Sequence, residues 1–109
     1  MAGYYELKAA AGSQFAFNLK AANHQVILTS ETYSAKPAAL NGIESVRNNA
    51  SDDARFVRRT AKDSSPFFVL TAANGQTIGK SEMYSSTSAM EAGIASVKAN
   101  AGGDVKDLA

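Results

Sequence analysis

Two kinds of apolar periodicity alternate along the chain. Tyr4-Tyr5-Glu6-Leu7-Lys8-Ala9 and Gln14-Phe15-Ala16-Phe17-Asn18-Leu19-Lys20 alternate with period two, which predicts strands with two different faces. Gly12-Ser13 supplies turn chemistry between them, and Gln25 to Ser30 reads as a third short strand. After Tyr33 the period changes. Ala39, Ile43, Val46 and Ala50 fall at spacings of three and four, as do Met90, Ile94, Val97 and Ala101, and each set makes one stripe on an amphipathic helix. Ser34 and Ser85 are candidate N-caps, Ser88-Ala89-Met90-Glu91 has the capping-box form, and Pro37 suits a first helical turn.

The chain is one unit written twice. Leu19-Lys20-Ala21-Ala22-Asn23-His24-Gln25-Val26-Ile27 is answered by Leu70-Thr71-Ala72-Ala73-Asn74-Gly75-Gln76-Thr77-Ile78, and the match runs on without a gap at a constant offset of 51. Ser30-Glu31-Thr32-Tyr33-Ser34 finds Ser81-Glu82-Met83-Tyr84-Ser85, and Gly42-Ile43-Glu44-Ser45-Val46 finds Gly93-Ile94-Ala95-Ser96-Val97. About half the residues from Leu19 to Ala50 equal their partners. The N-terminal part keeps only its apolar beat, Tyr5 with Phe56 and Phe17 with Phe68. Asn74-Gly75 between extended runs predicts a type I′ hairpin turn with two positive-φ residues, and His24 stands where the second unit has Gly75. Glycine at the same helical place in both units, Gly42 and Gly93, predicts close approach of another backbone, from a strand or the sister helix.

Each unit is thus three antiparallel strands and one helix, which alone buries too little to be stable. The expected architecture is α+β: two β3α units, 1–51 and 52–102, forming a single pseudo-two-fold domain with an antiparallel sheet and both helices on one side. Residues 103–109 are either a frayed tail or a short edge strand opening a truncated third copy, since Asp104 before Val105 matches Asp53 before Ala54.

The repeated Ala-Asn-Gly/His-Gln-x-Ile, Ser-Glu-x-Tyr-Ser and Gly-Ile-x-Ser-Val-Lys/Arg-x-Asn-Ala elements resemble the YegP-like proteins of the UPF0339 (DUF1508) family in its duplicated form. The resemblance covers nearly the whole chain and implies a tandem β3α fold in a small bacterial protein. It implies no activity and carries over no catalytic or binding residues. His24 in place of the usual turn glycine is the main departure.

Composition narrows the chemistry further. With 45% hydrophobic and 19% charged residues the chain reads as globular, and no apolar run approaches the roughly 20 residues a membrane helix needs. No charged-then-apolar leader opens it, so a cytoplasmic location is the default expectation. The absence of Cys removes disulfides, thiolate metal sites and cysteine nucleophiles. A net charge of +1 gives no global field for nucleic acid or anionic lipid.

His24, the only imidazole, lacks any partner in the sequence spacing and reads as a solvent-facing turn residue. Asp52-Asp53 reads as a solvated turn. Glu31 and Glu82, just before Tyr33 and Tyr84, occupy equivalent places in separate units, which argues against paired acid and base work. Gly102-Gly103 lacks the Lys-Ser/Thr of a phosphate loop. Strand alternation splits the basic cluster, with Arg58 on the helix side and Arg55 and Arg59 on the other; Lys62 follows.

Parity also puts Tyr4, Ala16, Val26 and Leu28 on the face away from the helices, with Val57, Phe67 and Val69 beside Arg55 and Arg59 in the second unit. The candidate binding residues are therefore Tyr4, Val26, Leu28, Arg55, Arg59 and Phe67, on an unusually apolar open face. The alternative is that the two sheets curl against each other, or that bulges reset parity, so that these residues are simply core. The expected function is non-enzymatic, without metal or cofactor: binding or accessory through this face, to a protein partner or as a homodimer. One rival is an RNA- or ssDNA-binding module using Tyr4, Phe67 and the arginines. Another is an enzyme on a small acid or ester using Glu31, Glu82 or His24.

Overall fold

The computed structural model describes residues 3–109. Its elements in chain order are strands β1 (Tyr4–Ala10), β2 (Gln14–Lys20) and β3 (Val26–Ser30), helix α1 (Lys36–Asn49), a 3-10 turn (Asp53–Arg55), and strands β4 (Phe56–Thr60), β5 (Pro66–Thr71) and β6 (Thr77–Lys80). Helix α2 (Thr87–Asn100) and strand β7 (Asp104–Asp107) complete the chain. The strands form one seven-stranded sheet in the order β4-β5-β6-β3-β2-β1-β7. The repeats meet where β3 pairs antiparallel with β6, Thr29 opposite Lys80 and Ser30 opposite Gly79. β7 lies parallel to β1 at one edge; β4 forms the other edge.

Both predicted helical stripes are buried, and with Tyr5, Leu7, Phe17, Leu19, Phe56, Phe68 and Leu70 they form one core between sheet and helices. The repeats build this core alike. Tyr33 lies stacked on Phe17 with centroids 6.2 Å apart, and Tyr84 on Phe68 at 6.3 Å. These tyrosines, rather than a neighbouring backbone, are what the helical glycines accommodate: a Cβ on Gly42 or Gly93 would collide with the hydroxyl of Tyr33 or Tyr84. Ser30 and Ser81 hold the strands equivalently, each hydroxyl accepting from the backbone N–H of Phe17 or Phe68, at 2.9 and 3.0 Å.

Three local expectations need correction. The caps lie one residue later than Ser34 and Ser85. Ser86 caps α2 by accepting from Ala89 N–H at 3.1 Å, while α1 starts after Ala35 without a side-chain cap. The Asn-His and Asn-Gly turns hold one positive-φ residue each, His24 at +69° and Gly75 at +85°. They are type I turns closed by a left-handed residue, and Asn23 and Asn74 instead accept from the N–H of Gln25 and Gln76.

The third correction is Leu28. Leu19 pairs with Leu28 but Lys20 with Val26, so Ile27 is an extra residue in a β-bulge, and both Ile27 and Leu28 turn into the core. Leu28 is fully buried and leaves the candidate open face. The second repeat has the same irregularity at Leu70/Thr71, with Gly79 at Leu28's equivalent place. A Cβ on Gly79 would lie 3.0 Å from Leu28 Cγ, so the joint holds one leucine rather than two.

Candidate functional site

Cross-strand partners share a face, so the register lays out the open side of the sheet. In the first repeat's half it carries Tyr4, Glu6, Lys8, Ala16, Asn18 and Lys20, with Val26 and Thr29 on β3. In the second it carries Val57, Arg59, Phe67, Val69 and Lys80. The first half is the more polar, and its central side chains pair with one another. Lys20 pairs with Glu6 at 3.0 Å, a hydrogen bond that holds the Glu6 carboxyl below its usual range, and Asn18 donates to Thr29 Oγ1 at 3.0 Å. The second half is apolar with cations beside it. Phe67 stands half-buried directly across from Arg59, and Val57 across from Val69.

The basic cluster divides more sharply than alternation predicts. Arg55 is not on the open face: it lies in the 3-10 turn, where its Nε donates to Asn49 Oδ1 at 3.2 Å and its Nη2 lies 3.7 Å from Asp52. Arg58 is on the helix side, between Asp53 at 3.2 Å and Glu91 at 2.6 Å, and Lys98 also meets Asp53 at 3.0 Å. Hydrogen bonds from Arg58 and then Lys98 hold the Asp53 carboxyl below its ordinary range. Arg59 has no ion-pair partner among the described residues.

Tyr4 and Val26 sit in the first half with Lys20 between them. Four strand spacings, about 19 Å, separate Tyr4 from Phe67, so the two candidate stacking residues do not share a surface. Glu31 and Glu82 lie past opposite ends of the β3–β6 pairing, about 13 Å apart along the strands, beyond the reach of a carboxylate pair. The phenols of Tyr33 and Tyr84 are raised first by burial and second by the charge of Glu31 or Glu82. Among the described residues no three His, Asp or Glu side chains converge as a metal site requires.

His24 does find a partner: Tyr4 Oη lies 2.9 Å from its Nδ1, with the rings edge to face. Both line an open cleft of about 630 Å³, whose other wall is Gly102, Gly103, Asp104 and Lys106. Sequence reasoning missed Asp104 and Lys106. Their side depends on β7 running parallel to β1, Asp104 beside Tyr4 and Lys106 beside Glu6, which alternation within a four-residue strand does not reveal. Gly3 and Gly103 let the strands approach, since a Cβ on Gly103 would strike the carbonyl of Gly3.

The family described as "Domain of unknown function (DUF1508)" matches residues 10–56 and 61–107. Each segment holds two strands and a helix, and the second runs on through β7. A UPF0339 protein of Bordetella pertussis is 61% identical over 103 residues, covering 94% of this chain and 92% of its own. The YegP protein of Escherichia coli O157:H7 is 50% identical over 100 residues, covering 92% and 91%. The solution structure of a UPF0339 protein from Shewanella oneidensis superposes with a TM-score of 0.93 at 51% identity, over 99% of this chain and 92% of that one. The solution structure of yegP from E. coli, described as a protein of unknown function, gives 0.94 at 48% identity, over 99% and 94%. With matched core, matched repeats and this degree of identity, the chain belongs to the UPF0339 (DUF1508) family.

Proposed function

We propose that the chain is a non-enzymatic binding module whose second-repeat half of the open face docks an acidic protein segment bearing apolar side chains. The observation that carries this reading is the pair of half-buried side chains Val57 and Phe67, packed around buried Val69 beside Arg59 and Lys80, where the equivalent first-repeat positions are Glu6, Ala16 and Asn18. An apolar patch on an otherwise solvated sheet face is an interaction surface in chemical terms.

Charge selects the occupant. Lys8, Lys20, Arg59, Lys80 and Lys106 outnumber Glu6 and Asp104 on this side of a molecule whose net charge is only +1. Two copies laid face to face would bring these cations together, which disfavours a homodimer through this face. Nucleic acid is the weaker reading because, among the described residues, Phe67 is the only aromatic ring in the apolar half of this face and base stacking needs several.

The test is a titration of ¹⁵N-labelled protein with a peptide of alternating Glu and Val. The expected result is shifts confined to β4, β5 and β6, weakening with salt and lost in Phe67→Ala and Arg59→Gln. Shifts spread over both halves, or insensitive to Phe67→Ala, would overturn the reading, as would concentration-dependent dimerisation blocked by Phe67→Ala.

A further inference from the structure

The cleft beside β7 has a chemistry of its own, independent of the apolar patch. Asp104 and Lys106 are alternate residues on one strand, about 6.6 Å apart, and both face the side of the sheet that carries Tyr4. Neither has an ion-pair partner among the described residues. The same strand's helix-side acid, Asp107, is paired with Lys36 at 2.5 Å. One anion and one cation without a close ion-pair partner thus stand at a cleft lined by glycine backbone, Tyr4 and His24, with Lys106 next to the Glu6 carboxylate that Lys20 already holds.

His24 adds a second observation. Its backbone is left-handed at φ +69°, where Gly75 serves the equivalent turn, so that turn does not need an imidazole. The side chain instead meets the Tyr4 hydroxyl at the cleft wall. When the phenol donates to Nδ1, Nε2 carries the ring hydrogen and is free to donate. The second repeat has none of this: Arg55 replaces Tyr4, Gly75 replaces His24, and among the described residues no strand lies outside β4.

We infer that this cleft is a site for a small zwitterion of the free α-amino acid class with a large apolar side chain. The ligand's ammonium lies against Asp104, its carboxylate against Lys106 and His24, and its side chain against the Tyr4 ring. A cleft of about 630 Å³ holds such a molecule with room for solvent. A zwitterion meets both charges at once, whereas an anion engages only Lys106 and a cation only Asp104.

The experiment is a titration of the ¹⁵N-labelled full chain with L-phenylalanine, phenylacetate and phenethylamine, each to about 10 mM. Phenylalanine should shift the amides of Tyr4, His24 and Gly102 to Lys106 saturably, and each single-charge analogue should bind about tenfold more weakly. Asp104→Asn should bring phenylalanine down to the affinity of phenylacetate, and Lys106→Met to that of phenethylamine. Both residues are exposed, so these variants keep the fold. Phe67→Ala should leave phenylalanine binding unchanged, which separates this site from the peptide-docking face. Absence of shifts in this segment, equal response to all three compounds, or indifference to both charge variants would overturn the inference.

Discussion

Below the sheet the two repeats place the same side chains at the same positions: Phe17 and Phe68, Leu19 and Leu70, Ile43 and Ile94, Val46 and Val97, Tyr33 and Tyr84 over Gly42 and Gly93. Above it they differ at nearly every position, Glu6 against Val57, Ala16 against Phe67, Asn18 against Val69, Thr29 against Lys80. Side chains that fill a common core must suit both helices and the shared sheet, because interiors are packed to crystal-like density. Open-face side chains answer to their neighbours on the sheet, to solvent and to whatever binds there, with no helix packed over them. The contrast teaches where to look for function: in the positions where one half of a duplicated fold has departed from the other.

The likeness below the sheet breaks at Leu7 against Arg58, at Tyr5 against Phe56 and at the joint between the halves, Leu28 against Gly79, and the joint gives the largest expected effect. Leu28→Ala should cost about 3 kcal/mol by chemical denaturation, the cost of a cavity in a filled core. A loss under about 0.5 kcal/mol would return Leu28 to the surface. Next, Gly42→Ala and Gly93→Ala should each cost about 2 kcal/mol, and by similar amounts, because each drives a methyl into a tyrosine hydroxyl. Tyr33→Phe should relieve part of the first only and Tyr84→Phe part of the second only, since the ring carbon Cζ still lies 2.7 or 2.6 Å from the added methyl. Crossed or absent relief would separate the glycines from the tyrosines.

Tyr5 sharpens the comparison, since its partner is Phe56. The Tyr5 hydroxyl donates to Ala101 O at 2.7 Å, and Tyr5→Phe should cost about 1 kcal/mol by leaving that carbonyl unpaired. Burial raises the Tyr5 phenol above its ordinary value of 10.0, so the neutral form is favoured in the folded state. The stability this contributes is present below pH 10.0 and is lost above it, as the unfolded chain ionises and the folded one does not. Tyr5→Phe should flatten this alkaline loss. The smallest effect is at the acid end. Asp53 and Glu91 are held low first by hydrogen bonds to Arg58, so their contribution is present above the ordinary carboxylate range and is lost as pH falls below about 4. Asp53→Asn should make stability fall less steeply there, and an unchanged slope would show that the cluster contributes nothing.

Most of the fold is legible in the sequence because period and duplication act locally. Two copies of one pattern report the three strands, the helix and its buried stripe without reference to anything distant. The bulge is not legible that way. Val26-Ile27-Leu28 is continuously apolar, so alternation cannot say which residue is extra, and one misplaced residue turns Leu28 to the wrong side. The site is legible only in part. Phe67 and Arg59 follow from parity, whereas Arg55 falls in a 3-10 turn where parity has no meaning. Tyr4 meets His24 through the β1–β2 hairpin, and Asp104 and Lys106 join them only through the pairing of β7 with β1 across the ends of the chain, which no local signal encodes.

The most direct test converts one open face into the other. Val57→Glu, Phe67→Ala and Val69→Asn together give the second repeat the first repeat's side chains, including its Glu6–Asn18 cross-strand pair. The triple variant should keep the amide-exchange protection of the shared core and lose all response to the Glu-Val peptide. A chain that fails to fold, or one that folds and still binds the peptide, would contradict the division of labour between the two sides of the sheet.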